Sequence, residues 1–237
     1  MNTYSELDEE FGVTHVWNNA IIKESIVTHR DIKVEMVERP KWGLTCYMDN
    51  CIQSCLSDER IYHEALVHPV MSFNIKNVCI VGGGEGATAR EVLKWPVEKV
   101  DMYEWDKDVV ELFKKYPEWS QGAWDDPRLN VIHEDIFEVT VNKKYDALII
   151  DLFEPSEKWE KLILKLSQWS SNIVMYAGMY AGMYAGMNTN TDPPYKKLMN
   201  MIQKLHDQWR GIPVNDIIVK KIYVPSFLGE AVFLVVK

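Results

Sequence analysis

The sequence predicts an α/β fold: a mostly parallel sheet with helices on both faces and an antiparallel edge, preceded by a small N-terminal β domain. Three observations predict it. From Asn77 onward, short apolar runs alternate with helical stretches, as in NVCIVG, ATAREVLKW and KVDMYEW. The last two apolar runs, 216–223 and 231–236, follow each other with no helix between them. The stretch 21–56 is rich in Val, Ile, Thr and Tyr and is broken by turn residues at 28–31, at Arg39-Pro-Lys-Trp-Gly43 and at Asp49-Asn50, which reads as antiparallel hairpins.

The elements follow in order. A helix is expected over 58–71, with Asp58 as its cap, Glu59 in its first turn and Pro69 ending it. NVCIVG is a buried strand, a Gly-rich turn follows, and ATAREVLKW is a helix stopped by Pro96. KVDMYEW is the second strand, 107–116 a helix, and LNVIHED and YDALIID the third and fourth strands. His133 is expected inside the third strand and His68 beside a helix end, both packing or capping. A helix over 157–169, the strand NIVMYAG, a long helix over 192–209 and the two closing strands complete the chain. The expected division is a β-hairpin domain over 1–56 and a nucleoside-binding domain over 57–237. MYAG occurs three times running from Met175 to Gly186; a four-residue period is too short for a solenoid unit and carries no functional expectation.

Composition narrows the functional classes. With 237 residues, 47% hydrophobic and 26% charged, disorder, collagen and coiled coil are excluded as whole-chain readings. A net charge of −9 argues against nucleic acid as a partner, because such a surface repels a phosphate backbone. The opening MNTYSELDEEFG is polar and acidic, unlike a secretory signal. The longest uncharged stretch, 166–191, is interrupted by Gly, Asn and Ser, and its apolar part is short of the ~20 residues a membrane span needs. A soluble, cytoplasmic protein with no membrane partner is expected. Cys46, Cys51, Cys55 and Cys79 form no C-x-x-C and no His follows at a zinc spacing, so buried thiols and no metal site are expected. There is no G-x-S-x-G, and the six histidines are scattered.

The chemistry gathers at Gly82-Gly83-Gly84-Glu85-Gly86, between a strand and a helix. Gly82, Gly84 and Gly86 permit a tight turn and close approach of a ligand to the backbone. Glu104 ends the second strand twenty residues past Gly84, a spacing that suits a carboxylate accepting from both ribose hydroxyls. Asp135 and Asp151 end the third and fourth strands. Ligands in open α/β sheets bind beyond the carboxyl ends of the strands, so Glu85, Glu104, Asp135 and Asp151 converge on one rim. An acid inside the Gly turn repels phosphate. It favours a nucleoside carrying positive charge, such as a sulfonium with an amine arm.

The chain resembles the spermidine synthase (polyamine aminopropyltransferase) family. The residues that carry the likeness are Asp49, Gln53, Asp58-Glu59, Tyr62-His63-Glu64, GGGEG with Ala89-Arg90-Glu91, Asp125-Asp126-Pro127-Arg128, and Asp151 to Pro155. Glu85, VHP at 67–69 and VPSF at 224–227 most resemble its thermospermine synthase-like members. The resemblance implies a methyltransferase-like Rossmann fold, no tightly bound cofactor, decarboxylated S-adenosylmethionine as co-substrate and a polyamine as acceptor. It implies a homodimer or larger assembly. Glu104 would hold the ribose, and Asp135 would accept from the adenine amino group with Ile136 beside it. Gln53 and Glu85 would lie along the aminopropyl arm, Glu85 binding its ammonium. Asp151 would be the base; Tyr62, His63 and Glu154 would orient the acceptor amine, with Phe227 at the acceptor side. The chain departs from the family pattern at Arg30, Asn50, Glu154, Tyr176 and Phe227, and the stretch between Pro155 and Asn172 is short.

Two other readings share parts of this pattern. An S-adenosylmethionine-dependent methyltransferase would use the same Gly turn and ribose acid, and Asp192-Pro193-Pro194-Tyr195 matches a tetrapeptide of amino-methylating DNA enzymes. Here the tetrapeptide follows the fifth strand and opens a helix, where Pro is a normal first-turn residue. A non-catalytic polyamine or nucleoside binder is the other. Glu85 disfavours a donor that keeps its carboxylate; turnover separates enzyme from binder.

Overall fold

A computed structural model describes residues 2–8, 13–140, 143–152, 158–180, 196, 198–200, 203 and 217–237. Alternating apolar residues place four strands in an antiparallel N-terminal sheet: β3 (Ile21–Val27), β4 (Lys33–Arg39), β5 (Gly43–Met48) and β6 (Cys51–Cys55), paired in that order. The turns fall where the turn residues stand, with Asp31, Lys41, Asp49 and Asn50 at positive φ. Before them is a hairpin that the sequence did not signal, β1 (Thr3–Asp8) with β2 (Val13–Asn18).

The second sheet has seven strands: β7 (Asn77–Gly82), β8 (Lys99–Tyr103), β9 (Leu129–Ile132), β10 (Ala147–Asp151), β11 (Ile173–Tyr180), β12 (Ile217–Val224) and β13 (Gly229–Val236). Their order is β12-β13-β11-β10-β7-β8-β9. The five strands from β11 to β9 are parallel, and β13 and β12 add an antiparallel edge. The chain moves one way from β7 through β9 and the other way from β10 to β11. The switch lies between β7 and β10, where open α/β sheets bind ligands.

Among the described residues the helices with both ends placed are α1 (Glu59–Val67), α2 (Ala87–Leu93), α3 (Lys107–Lys114), α4 (Pro117–Ser120) and α5 (Trp159–Ser167). The two-residue strand period splits the core. Val78 and Ile80 face one way with Leu66 and Val92, while Cys79 and Val81 face the other with Leu162 and Leu166. Val109, Leu112 and Phe113 of α3 pack with Trp119 against Val34, Met36 and Cys46 of the N-terminal sheet. Burying each such side chain contributes roughly 1.5–3 kcal/mol.

Some local expectations are corrected. Asp58 does not cap α1 with its side chain. Its carboxylate accepts from the Ser226 N–H at 2.6 Å instead, tying the start of α1 to the turn after β12. His133 lies just past β9 rather than within it, with Nδ1 3.1 Å from the Glu104 carbonyl. The helix over 107–116 ends at Lys114, and α4 follows. Of the helix expected over 192–209 only 196, 198–200 and 203 are described, and these are helical; the Asp-Pro-Pro-Tyr tetrapeptide and most of the MYAG repeat lie outside the described residues. Among the described residues no helix is long and apolar enough to cross a membrane.

Candidate active site

The carboxyl ends of β7, β8, β9 and β10 align: Gly82 sits opposite Asp151, Val81 opposite Tyr103, and Tyr103 opposite Ile132. The β7–α2 turn needs its glycines for two different reasons. Gly82 has φ +87°, and a Cβ there would lie 2.0 Å from the Asp151 carbonyl oxygen. A Cβ on Gly84 would come within 3.0 Å of Glu104 Oε2 and 2.9 Å of Val109. The turn therefore presses on both acids. Gly86 closes it as the N-cap of α2, in the left-handed conformation.

Asp151, half-buried at the end of β10, is held at both oxygens. Tyr62 Oη donates to Oδ1 at 2.7 Å and Thr88 Oγ1 to Oδ2 at 3.1 Å. Burial pushes its carboxyl above the usual range, while the nearby His63 charge and these hydrogen bonds pull it back. Burial and the Asp151 charge hold the Tyr62 phenol proton well above its ordinary value. The Tyr62 ring stands among aromatic neighbours: Phe233 at 5.1 Å, Tyr176 at 5.7 Å and Phe227 at 5.9 Å between centroids. This makes one apolar wall beside a carboxylate, a setting for an alkyl chain that ends in an amine.

Glu104 is buried next to the Gly turn. It accepts from the Asp106 N–H at 3.0 Å and from the Gly84 N–H. Burial pushes it up to about 7, with the Asp106 and Asp151 charges adding and the two N–H groups opposing. Glu85 pairs through Oε1 with His63 Nε2. His63 is itself buried, with Nδ1 2.7 Å from the Glu59 carbonyl and 3.0 Å from Glu59 Oε2. Both ring nitrogens are thus engaged by protein groups, and His63 stands behind Glu85.

The remaining expected residues are placed as follows. Asp135 lies three residues past β9 and accepts from the Phe137 N–H at 2.9 Å. Ile136 is buried under α5, whose Lys165 donates to its carbonyl. Gln53 lies on β6, its amide donating to the Cys51 carbonyl at 3.2 Å. Glu154 lies outside the described residues. Sequence reasoning missed Thr88, one residue into α2, and the role of Glu59 and Arg90 behind His63. The four-residue spacing of Glu59 and His63 on one helix face was the available signal. Among the described residues one cluster has metal-ligand chemistry, His29 with Asp106 and Asp108, but His29 Nδ1 is already 2.8 Å from Asp108 Oδ2.

Comparison with known proteins points the same way. The spermine/spermidine synthase domain matches residues 59–177, half of the chain. The chain is 49% identical over 123 residues to polyamine aminopropyltransferase 1 of Hyperthermus butylicus, covering 48% of this chain and 42% of that one. It is 47% identical over 129 residues to the polyamine aminopropyltransferase of Saccharolobus solfataricus, covering 52% and 43%. The match spans less than half the length of these relatives. Among solved structures, the spermidine synthase of Thermotoga maritima superposes with a TM-score of 0.76 at 25% identity, over 99% of this chain and 78% of that one. A spermidine synthase bound to the transition-state analogue AdoDATO shares the fold at 23% identity, also with a TM-score of 0.76.

Proposed function

Because the chain belongs to the spermine/spermidine synthase family, we propose that it is an aminopropyltransferase. It moves the three-carbon amine arm of decarboxylated S-adenosylmethionine onto an amine of a polyamine and releases methylthioadenosine. The observation that carries this reading is Asp151, held at both oxygens at the sheet's switch point beside an aromatic wall and within electrostatic reach of Glu85.

The chemistry is a displacement at carbon. The acceptor nitrogen forms the new N–C bond with its lone pair as the C–S bond breaks, and the sulfonium takes that electron pair to become a neutral thioether. The attacking nitrogen sheds one proton. A primary amine with a lysine-like pKa near 10 costs about 4 kcal/mol to deprotonate at pH 7. Asp151 takes that proton as attack proceeds. Tyr62 and Thr88 fix its orientation, and Tyr62, Tyr176 and Phe227 wall the acceptor chain. Glu104 accepts from the ribose hydroxyls, with Asp135 and Ile136 at the adenine. Glu85, oriented by His63, faces the donor ammonium, and Gln53 and Glu154 complete the arm and acceptor sides. An ordinary S-adenosylmethionine carboxylate would meet Glu85 as a like charge, which disfavours methyl transfer.

The same reading takes 1–56 as a β unit that serves a catalytic unit at 57–237, and a homodimer or larger assembly in the cytoplasm. Ile21, Ile22 and Val27 on β3, an edge strand, are about half exposed or more, which favours association. The free cysteines favour a reducing compartment. The test is incubation of pure protein with decarboxylated S-adenosylmethionine and a panel of diamines and triamines, with products read by mass. One acceptor should gain one aminopropyl group with an equal amount of methylthioadenosine. Methyl transfer from ordinary S-adenosylmethionine, or binding without turnover, would overturn the reading. A monomer by sedimentation would overturn the assembly.

A further inference from the structure

We propose that Glu59 is a positioning residue: it holds His63 as a cation, and through that cation orients Glu85 and keeps Asp151 able to accept a proton. The proposal rests on the reading of Asp151 as the base.

The argument begins with hydrogen-bonding capacity. His63 Nδ1 faces the Glu59 carbonyl oxygen at 2.7 Å and Glu59 Oε2 at 3.0 Å; Nε2 faces Glu85 Oε1. A carbonyl only accepts, so Nδ1 carries hydrogen; against an ionised Glu85 carboxylate Nε2 carries one too, and the ring is then an imidazolium. The setting agrees. Burial favours the neutral ring, but the Glu85 and Glu59 carboxylates outweigh it, with Asp151 adding, and raise His63 to about 10.

Every charged neighbour contributes to the balance. From α1 come Glu59 and the Tyr62 ring, 5.1 Å away. From the β7–α2 turn comes Glu85, and from the end of β10 comes Asp151. From α2 comes Arg90, across Glu59, with Nη1 and Nη2 donating at 2.9 and 2.8 Å. The row alternates in sign: Arg90, Glu59, His63, Glu85. Arg60 Nε lies 4.0 Å from Glu59 Oε1 as well, and Glu91 with Lys94 continues the row beyond Arg90. With His63 neutral, the charge that pulls the Asp151 carboxyl down is lost while burial and the Glu85 charge still push it up, and Asp151 holds its proton. A protonated Asp151 cannot act as base.

Glu59 is the member that sets this charge before any ligand arrives. It is 3% exposed, so no ligand reaches it. Arg90 anchors it, and Arg90 is in turn held by the Trp119 carbonyl at 2.5 Å and by Glu91 at 2.9 Å. Arg90 and His63 together hold the Glu59 carboxyl below the usual range against its burial. Glu85, by contrast, keeps 12% of its side chain exposed.

The test reads the His63 ring directly by NMR titration of the ligand-free full-length protein, the signal assigned by its loss in His63→Gln. In the wild type the ring should stay an imidazolium to beyond about pH 8.5, against about 6.5 for a free histidine. Glu59→Gln should bring its midpoint down by about one pH unit or more, and Glu59→Asp should restore most of it. In turnover, Glu59→Gln should lower kcat at pH 7 by about tenfold or more. Its acid limb should move to higher pH, so the loss shrinks toward pH 9. A wild-type ring that titrates near 6.5 overturns the proposal without any variant. A Glu59→Gln ring that keeps its proton as the wild type does also overturns it. Absence of aminopropyl transfer by the wild type, with the titration as expected, would sink the functional reading and leave the Glu59–His63 link standing.

Discussion

Asp151 is the proposed base, and its two hydrogen bonds make that role testable. Tyr62 and Thr88 each donate to one oxygen. In Asp151→Asn the amide oxygen still accepts from Tyr62, and the Thr88 hydroxyl can turn to accept from the amide. The geometry is kept while the basicity is lost. Turnover should therefore fall by about 10²–10⁴-fold, the usual worth of a placed general base. Donor affinity should stay within about threefold, since the proposed ribose and ammonium contacts lie on Glu104 and Glu85. Single-turnover rates and a donor titration separate the two. Turnover close to wild type would remove Asp151 as the base.

At the level of elements, the β7–α2 turn ties local backbone to site geometry. Gly82→Ala places a methyl 2.0 Å from the Asp151 carbonyl oxygen at φ +87°; neither strand end can yield without moving Asp151. The variant should lose about 3 kcal/mol or more in urea unfolding, and its folded fraction should also lose activity. Gly43→Ala is the control, since Gly43 has φ +75° with nothing within 4 Å of the added carbon. It should show the backbone strain alone, about 1 kcal/mol. Equal losses at both positions would mean the clash at Asp151 is relieved cheaply. This turn was legible in the sequence because its demands are local: glycines, a preceding apolar strand and a following helix. The β1–β2 hairpin was not, since SELDEEFGV reads as an acidic loop and its strands are stabilised by partners elsewhere, as when Tyr4 Oη donates to Glu35 of β4 at 3.0 Å. Asp58 misled for a related reason. Its type suits an N-cap, but a contact 168 residues away claims its carboxylate. The Arg90 end of the row likewise depends on bringing α1 against α2, and only the Glu59–His63 pair shows as a spacing within one helix.

Across the whole molecule the N-terminal sheet and the α/β unit share side chains. Trp119 Nε1 donates to Ser54 at 2.8 Å while its carbonyl holds Arg90. His29 joins Asp108, and Arg30 lies 4.7 Å above the Trp105 ring, one residue past Glu104. Unfolding should therefore report the buried site charges as well as the core, and their signs predict a pH profile. Glu104 is raised to about 7 by burial. Its contribution is complete below its ordinary carboxylate range and is lost as pH climbs toward 7, by up to about 3 kcal/mol. His63 is raised to about 10 by Glu85 and Glu59 in spite of burial, so its contribution is complete below about 6.5 and is lost as pH climbs through 10. Glu59, Glu91 and Asp101 act in the opposite sense. Their partners hold them low against burial, so their contribution is present above the ordinary carboxylate range and is lost as pH falls through it. The ligand-free protein should thus melt highest at about pH 5–6 and lose Tm steadily toward pH 10. Glu104→Gln should flatten the fall up to pH 7 and leave the fall above it, whereas His63→Gln should do the reverse. Thermal melts of the three proteins across that range decide it: a wild-type Tm that is level from pH 5 to 9, or variants that change the wrong limb, would show that these buried groups do not carry the charges assigned to them.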